Sequence, residues 1–239
     1  MSIRIGRDRI LFFGYFIGII LLGSFLLSIP AAWKGAGRLR YIDALFTSTS
    51  AVCVTGLITV NTADYSRFGQ TVVMCLIQMG GLGLITFATL YLITDYTLSE
   101  VEYQPKNIIK TIVGLTFAIE GIGMLVMNFR FGSQGYPFFV SAFHAVSAFC
   151  NAGFSIFPNN LESYASDPII NFSIMSLIVL GGIGFIVMRD VGKILAREKT
   201  QLSYHSSVVL KTTAALIFFG AAVILALEYN GAFRGMTIG

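Results

Sequence analysis

Charged residues are scarce in this sequence, and their scarcity excludes an ordinary soluble domain. Only 12% of the 239 residues are Asp, Glu, Lys or Arg, whereas 55% are hydrophobic. Soluble domains carry about 25% charged residues, so we expect most of this chain to face a lipid bilayer. The formal charge of +4, without a block of basic residues, gives no reason to expect a nucleic-acid partner.

Cysteine and histidine are also rare, which argues against a disulfide framework, a metal centre and an enzyme. The cysteines, Cys53, Cys75 and Cys150, show no metal-ligand spacing and are odd in number, so we expect small buried hydrophobic residues. His144 and His205 belong to no nucleophile–base pattern. We predict a local hydrogen bond for His144, solvent exposure for His205, no enzymatic activity and no covalently bound cofactor.

Long apolar runs dominate the chain instead. A run of about 20 apolar residues is long enough to cross a bilayer as a helix. The first run follows three arginines and is longer than the apolar core of a signal peptide, which has about 7–15 residues. We therefore expect it to remain as a span. The predicted spans are residues 10–32, 68–94, 107–129, 169–188 and 207–227.

Two shorter apolar segments lie between the long ones and resemble each other. Residues 47–57 and 144–154 are small-residue helical runs that close on a single glycine, and the first short helix is predicted at residues 41–53. Such a segment is too short to span a bilayer and is tolerated at membrane depth only when buried in protein or lining a cavity. With Gly56 aligned on Gly153, the shared positions are Phe46 and Phe143, Ser50 and Ser147, Ala51 and Ala148, and Cys53 and Cys150.

The whole unit of long span, short helix and long span recurs. The pattern Gly-Gly-x-Gly at residues 80–83 returns at residues 181–184, while the terminal glycines of the short segments are 97 residues apart. We predict an all-α membrane protein with two complete units, at residues 1–95 and 96–188, and the start of a third at residues 189–239. The paired glycines are expected to permit close helix packing.

The short segments suggest a pore. An extended turn opened by a glycine can direct backbone carbonyls at a common axis, and rings of carbonyls that replace a hydration shell select cations in pore-loop channels. Glu120, midway along the third span, is expected to face the protein interior. It either contributes to a cation path or accepts hydrogen bonds from a short helix and fixes the pore loop, and we favour the second role.

Basic residues predict the orientation. With the N-terminus inside, the inner side holds ten of the 16 Lys and Arg residues, which favours a cytoplasmic N-terminus. Both short helices then point their C-terminal ends inward, where the helix dipole stabilises a cation.

Three segments carry a resemblance to a known family. Residues 50–57, 78–83 and 143–154 resemble the Trk/Ktr/HKT superfamily of potassium transporters, and its Ktr branch in particular. The resemblance implies potassium uptake across the plasma membrane, four repeats around one pore, homodimers and a cytosolic nucleotide-binding regulatory subunit. It implies filter carbonyls at Val54, Thr55, Gly56, Asn151, Ala152 and Gly153. The residues expected to support the filter are Ser50, Cys53, Leu57, Ser147, Cys150, Phe154 and Glu120.

The chain departs from that pattern because its third repeat ends after the first span. Two filter segments cannot encircle an ion, so we expect the first part of a transporter whose missing second half completes the pore. The alternatives are a non-conducting assembly fragment and a pore completed by two copies. A secondary transporter with broken helices is disfavoured, because it would not place a short helix and a terminal glycine between spans twice. Glycine at residue 56 favours potassium by resemblance, with Na⁺ as a possible coupling ion.

Overall fold

A computed structural model of the protein describes residues 7–96, 105–198 and 200–229. Within these ranges the chain is helical, with one isolated β-bridge between Trp33 and Tyr65 and no strand. The predicted all-α class is confirmed for this part of the chain. The helices are α1 Arg7–Ser28, α2 Tyr41–Val52, α3 Arg67–Tyr96, α4 Pro105–Ser133, α5 Phe138–Phe149, α6 Pro168–Gly182, α7 Phe185–Leu195 and α8 Tyr204–Glu228.

Helix length and composition suit a membrane protein. Among the described residues, Ile109–Ser133 within α4 and Tyr204–Glu228 are long and apolar enough to cross a bilayer, and α6 with α7 makes a third span if the two are counted together. The described apolar part of α1, Phe13–Ser28, is shorter than a full span. The predictions for residues 10–32 and 68–94 fall partly on residues whose side chains lie outside the described set.

The fourth predicted span is not one helix. The sequence predicts a continuous helix over residues 169–188, but α6 ends at Gly182 and α7 begins at Phe185. Gly184 precedes α7 with φ +85° and ψ 152°, a conformation that glycine adopts readily and that a helix cannot contain. The predicted loop at residues 189–206 is also wrong in its first part, because α7 continues to Leu195.

The chain divides into two compact units, Met1–Gly182 and Ile183–Gly239. In the first unit α2 packs against α1 and α3, and α5 packs against α4, α6 and α3. In the second unit α7 contacts α8. Ser203 starts α8, because its hydroxyl accepts a hydrogen bond from the amide of Ser206 at 3.2 Å, while its own amide donates to Asp190 at 2.9 Å.

The short helices pack against the long ones, and α5 is buried more completely than α2, whose Tyr41, Ile42 and Phe46 are exposed. Nine of the 12 residues of α5 are buried, which removes most of its apolar surface from water and lipid. The polar side chains of α2 find partners inside the unit. Ser48 donates to the carbonyl of Ile20 at 2.8 Å, and Tyr65, which is fully buried, donates to the hydroxyl of Thr47 at 3.1 Å.

An aromatic cluster holds α5 against the end of α4. Phe131 is fully buried and its ring lies edge-on to Tyr164 at 5.1 Å between centroids. Phe157, from the loop after α5, stacks on the ring of His144 at 4.9 Å. Aromatic pairs of this kind contribute about 0.5–1.5 kcal/mol each beyond area burial, so the cluster ties the loop, α4 and α5 together.

Candidate ion-filter site

The two short helices end in the same backbone conformation. Two residues past the last helical residue, Val54 and Asn151 have φ angles of 49° and 58°, and Gly56 and Gly153 both have a φ of 73°. A left-handed conformation costs valine roughly 1–2 kcal/mol, so surrounding contacts must impose it on Val54, whereas asparagine at residue 151 adopts it more easily. Glycine at residues 56 and 153 adopts this φ without the steric penalty of a Cβ.

Backbone amides of these turns donate hydrogen bonds to carbonyls of the preceding helices. The amide of Thr55 donates to the carbonyl of Ser50 at 3.0 Å, and the amide of Ala152 donates to that of Ser147 at 2.8 Å. Among the described residues, no hydrogen bond ends on a carbonyl oxygen of residues 54–56 or 151–153. Six carbonyl oxygens therefore remain as acceptors without a protein donor, which is the state a cation-binding segment requires.

The structure brings the two turns together although they lie 97 residues apart. A Cβ at Gly56 would lie 2.5 Å from the carbonyl oxygen of Ala152 and 3.2 Å from the Cα of Gly153. A cavity of about 430 Å³ opens beside them and is lined by Gly56, Gly153, Asn61 and Glu162 among others. The turn at Gly56 thus lies against the turn at Ala152 and Gly153.

Hydroxyl groups brace each turn from inside. Ser50 is buried and its hydroxyl lies 2.9 Å from that of Thr55. Ser147 is buried and donates to the carbonyl of Phe154, itself buried, at 2.6 Å. These contacts make Ser50, Ser147 and Phe154 suitable supports for the turns.

The remaining expected supports differ in exposure. Cys150 is buried, whereas Cys53 and Cys75 are exposed, so the prediction that all three cysteines are buried is wrong for two of them. Leu57 is also exposed, at 64%. Because Cys53 and Leu57 are exposed, few of the described residues pack against them.

His144 behaves as expected, and Ser155 is a partner that the sequence analysis missed. Nδ1 of His144 lies 2.8 Å from the carbonyl of Val140, and Nε2 lies 2.9 Å from the hydroxyl of Ser155. His144 is buried and so joins the middle of α5 to the residue just beyond the second turn. The only hint of this contact in the sequence is that His144 lies nine residues before the turn glycine, Gly153. His205 is exposed, as predicted.

Glu120 is fully buried, but the hydrogen bonds favoured for it from a short helix are absent. Neither carboxyl oxygen has a hydrogen-bond partner among the described residues, and both polar atoms of the Gln78 side chain are in the same state. The side chain of Gln78, on α3, lies close enough to influence the carboxyl electrostatically, but the two groups form no hydrogen bond. Glu120 thus lies near a long helix of the first predicted repeat and makes no hydrogen bond to a short one.

An ion pair joins two elements outside the turns. Arg130 near the end of α4 pairs with Asp167, whose carboxylate also accepts hydrogen bonds from the amides of Ile169 and Ile170 at 3.1 and 3.2 Å. Asp167 thus caps α6, as the Asp-Pro sequence predicts. The hydrogen bond from Arg130 is the main reason that the pKa of Asp167 lies below its usual value.

This pairing predicts an acid-sensitive contribution to stability. Because the folded pKa of Asp167 is lowered, its contribution is present above the unfolded value of about 4 and is lost as pH falls through the folded pKa. We expect Asp167→Asn to lose less stability than the unsubstituted protein when the pH is lowered from 7 to 3. Asn still caps a helix. Thermal unfolding in detergent measures this, with exposed Asp64→Asn as control. Equal acid sensitivity of all three proteins would contradict it.

Comparison with known proteins identifies the family. The family model described as TrkH, cation transport protein, matches residues 20–230. The chain belongs to the TrkH family of cation transport proteins. The resemblance drawn from residues 50–57, 78–83 and 143–154 is therefore confirmed, and the family is one of cation transporters.

Curated relatives of this TrkH-family chain carry potassium in their names. It is 38% identical to Ktr system potassium uptake protein B of Bacillus subtilis over 246 residues, which cover 95% of the chain and 54% of that protein. It is 33% identical to potassium/sodium uptake protein NtpJ of Enterococcus hirae, with 95% and 54% coverage. It is 32% identical to Ktr system potassium uptake protein B of Vibrio alginolyticus, with 93% and 52% coverage. The chain spans about half the length of these relatives.

Proposed function

We propose that this chain supplies two of the four filter segments of a potassium-uptake pore. The observation that carries the proposal is the convergence of the two glycine turns, where a Cβ at Gly56 would lie 2.5 Å from the carbonyl oxygen of Ala152. Carbonyl oxygens without protein donors on both turns suit a dehydrated cation. Val54, Thr55 and Gly56 would line one side, and Asn151, Ala152 and Gly153 the other.

The buried residues around the turns would hold these carbonyls in place. Ser50 and Ser147 bond across their own turns, and Cys150 and Phe154 fill the space behind the second one. In this proposal Cys53 and Leu57, which are exposed here, would be covered by the remaining repeats. Glu120 would join the second repeat to Gln78 of the first.

A repeated architecture underlies the proposed pore. Residues 1–95 and 96–188 would each form one unit of long helix, short helix and long helix, and residues 189–239 would begin a third. Support comes from the identical φ of Gly56 and Gly153. A ring needs four segments, so a second half would complete it. Two copies of the chain, or a non-conducting assembly role, are the alternatives, and the two-copy pore is disfavoured because it leaves two α8 helices without partners.

The transported ion would be K⁺, with Na⁺ as a possible coupling ion. The relative from Enterococcus hirae carries both ions in its name, while two other relatives are named for potassium alone. The complete transporter would lie in the plasma membrane as a homodimer and bind a cytosolic nucleotide-binding regulatory subunit.

The proposal is tested by joining the chain to the remaining half of Ktr system potassium uptake protein B of Bacillus subtilis. We expect this joined protein to restore growth at low potassium in cells that lack potassium uptake. We also expect it to take up ⁸⁶Rb⁺ in competition with K⁺ more strongly than with Na⁺. The same joined protein with the two turns replaced by Ala-Ser sequence is the control. The proposal would be contradicted if the joined protein reached the membrane at normal levels but showed no ⁸⁶Rb⁺ uptake that K⁺ inhibits.

The orientation has its own test. With the N-terminus in the cytoplasm, the loop after Leu195 lies inside and the loop at Lys34 lies outside. Reporter fusions after Ala196 and after Gly37 should therefore report opposite sides, because basic residues are retained in the cytoplasm. A fusion after Ala196 that reads as external would show that the assignment of both short helices to the outer side is wrong.

A further inference from the structure

Two glycines of the long helices lie directly against the ends of the short helices. A Cβ built at Gly80 of α3 would overlap the carbonyl oxygen of Val52 and lie 2.8 Å from its carbonyl carbon. A Cβ at Gly181 of α6 would overlap the carbonyl oxygen of Phe149 and also lie 2.8 Å from its carbonyl carbon. Distances of 3.4–4 Å are ordinary for a Cβ, so any side chain at either position would force backbone to move.

The contacted carbonyls occupy equivalent places. Val52 and Phe149 are the last helical residues of α2 and α5, each four residues before a turn glycine. Among the described residues, no backbone amide donates to either oxygen, although the side-chain amide of Asn151 donates to the carbonyl of Phe149 at 3.4 Å. Terminal carbonyls of a helix need partners, and a glycine α-hydrogen can approach such an oxygen as a weak C–H···O contact. Only glycine allows the long helix to come this close.

Other glycines of the long helices in this unit have different neighbours, although a Cβ at Gly69 of α3 would also overlap a backbone carbonyl oxygen, that of Ala32, outside the short helices. A Cβ at Gly123 would meet the side chain of Leu177, and one at Gly23 would meet the side chains of Ser48 and Leu76. Because side chains can change rotamer, Gly123 and Gly23 leave some freedom in the spacing of the helices. Backbone carbonyls cannot turn aside without moving the segment that follows them.

We propose that Gly80 and Gly181 are positioning residues of the ion filter. Each sets the height at which a short helix ends and therefore where its filter segment begins, two residues later at Val54 or Asn151. A Cβ at Gly181 would also lie 3.2 Å from the side-chain amide of Asn151. This inference rests on the proposed function, because a residue can position the filter only if the two turns form one.

The test uses the joined protein described above, with matched alanine substitutions. Gly181→Ala is compared with Gly182→Ala, where the new Cβ meets only the Asn151 amide at 3.9 Å. Gly80→Ala is compared with Gly114→Ala, where nothing lies within 4 Å. Displacing a positioned group by about 1 Å costs on the order of 100-fold. We therefore expect Gly80→Ala and Gly181→Ala to raise the KM for K⁺ and lower the K⁺:Na⁺ uptake ratio by roughly tenfold or more.

Three outcomes decide the proposal. It stands if both variants reach the membrane at control levels and lose ion discrimination while Gly114→Ala and Gly182→Ala keep it. It is overturned if both variants discriminate ions like their controls, or if both fail to accumulate while the controls accumulate, which would make them folding residues only. If the unsubstituted joined protein takes up no Rb⁺, the proposed function fails instead.

Discussion

Gly56→Ser should remove most of the preference for K⁺ over Na⁺ in the joined protein. Serine at residue 56 would adopt a φ of +73° and place its Cβ 2.5 Å from the carbonyl oxygen of Ala152. The left-handed conformation costs roughly 1–2 kcal/mol, and the close contact pushes the two turns apart. Because carbonyl geometry offsets ion dehydration, we expect the K⁺:Na⁺ uptake ratio to fall by about tenfold or more, as for a loss of 1.4 kcal/mol.

Gly37→Ser is the matched control for this substitution. Gly37 has a φ of +71°, and a Cβ there would meet nothing within 4 Å. The control therefore carries the same backbone strain without crowding the filter. Gly153→Ser, whose Cβ would lie 3.6 Å from the Cα of Gly56, should have an intermediate effect. Equal ratios for Gly37→Ser and Gly56→Ser would refute a filter role for Gly56.

The chain expressed by itself should not restore growth at low potassium. In the proposed filter it would supply six carbonyls on two turns, whereas a closed ring of carbonyls is needed to replace the hydration shell of the ion. We expect Rb⁺ uptake to be lower than that of the joined protein by on the order of 100-fold, a barrier difference of about 2.7 kcal/mol. Uptake per cell, normalised to the amount of protein in the membrane, measures this difference.

The two-copy pore gives the opposite result. If two chains supplied four turns, the chain by itself would rescue growth and purify with two copies per pore, as determined by mass measurement in detergent. That outcome would overturn the need for a second half while leaving the filter assignment in place. Co-expression with the separate second half tests the assembly role. A non-conducting fragment would leave Rb⁺ uptake unchanged, whereas a pore-forming half would raise it.

The sequence by itself determined the membrane class, the first short helix and the places of the two turns. Scarce charge and long apolar runs are read directly from the sequence, and the first short helix, predicted at residues 41–53, is observed at Tyr41–Val52. The positive φ of Gly56 followed from a glycine at the end of a small-residue run, because local steric rules decide that conformation. The capping by Asp167 was equally local.

The tertiary structure decided what depends on contacts between distant residues. The convergence of Gly56 with Ala152 and the close approach of Gly181 to Phe149 each bring together residues that are far apart in the sequence. Local patterns carry no information about such distances. The break at Gly184 shows the same limit. The Gly-Gly-x-Gly pattern at residues 80–83 lies within the continuous helix α3, whereas the same pattern at residues 181–184 ends α6. Backbone conformation at such a position is set by neighbouring packing and not by the residue type alone.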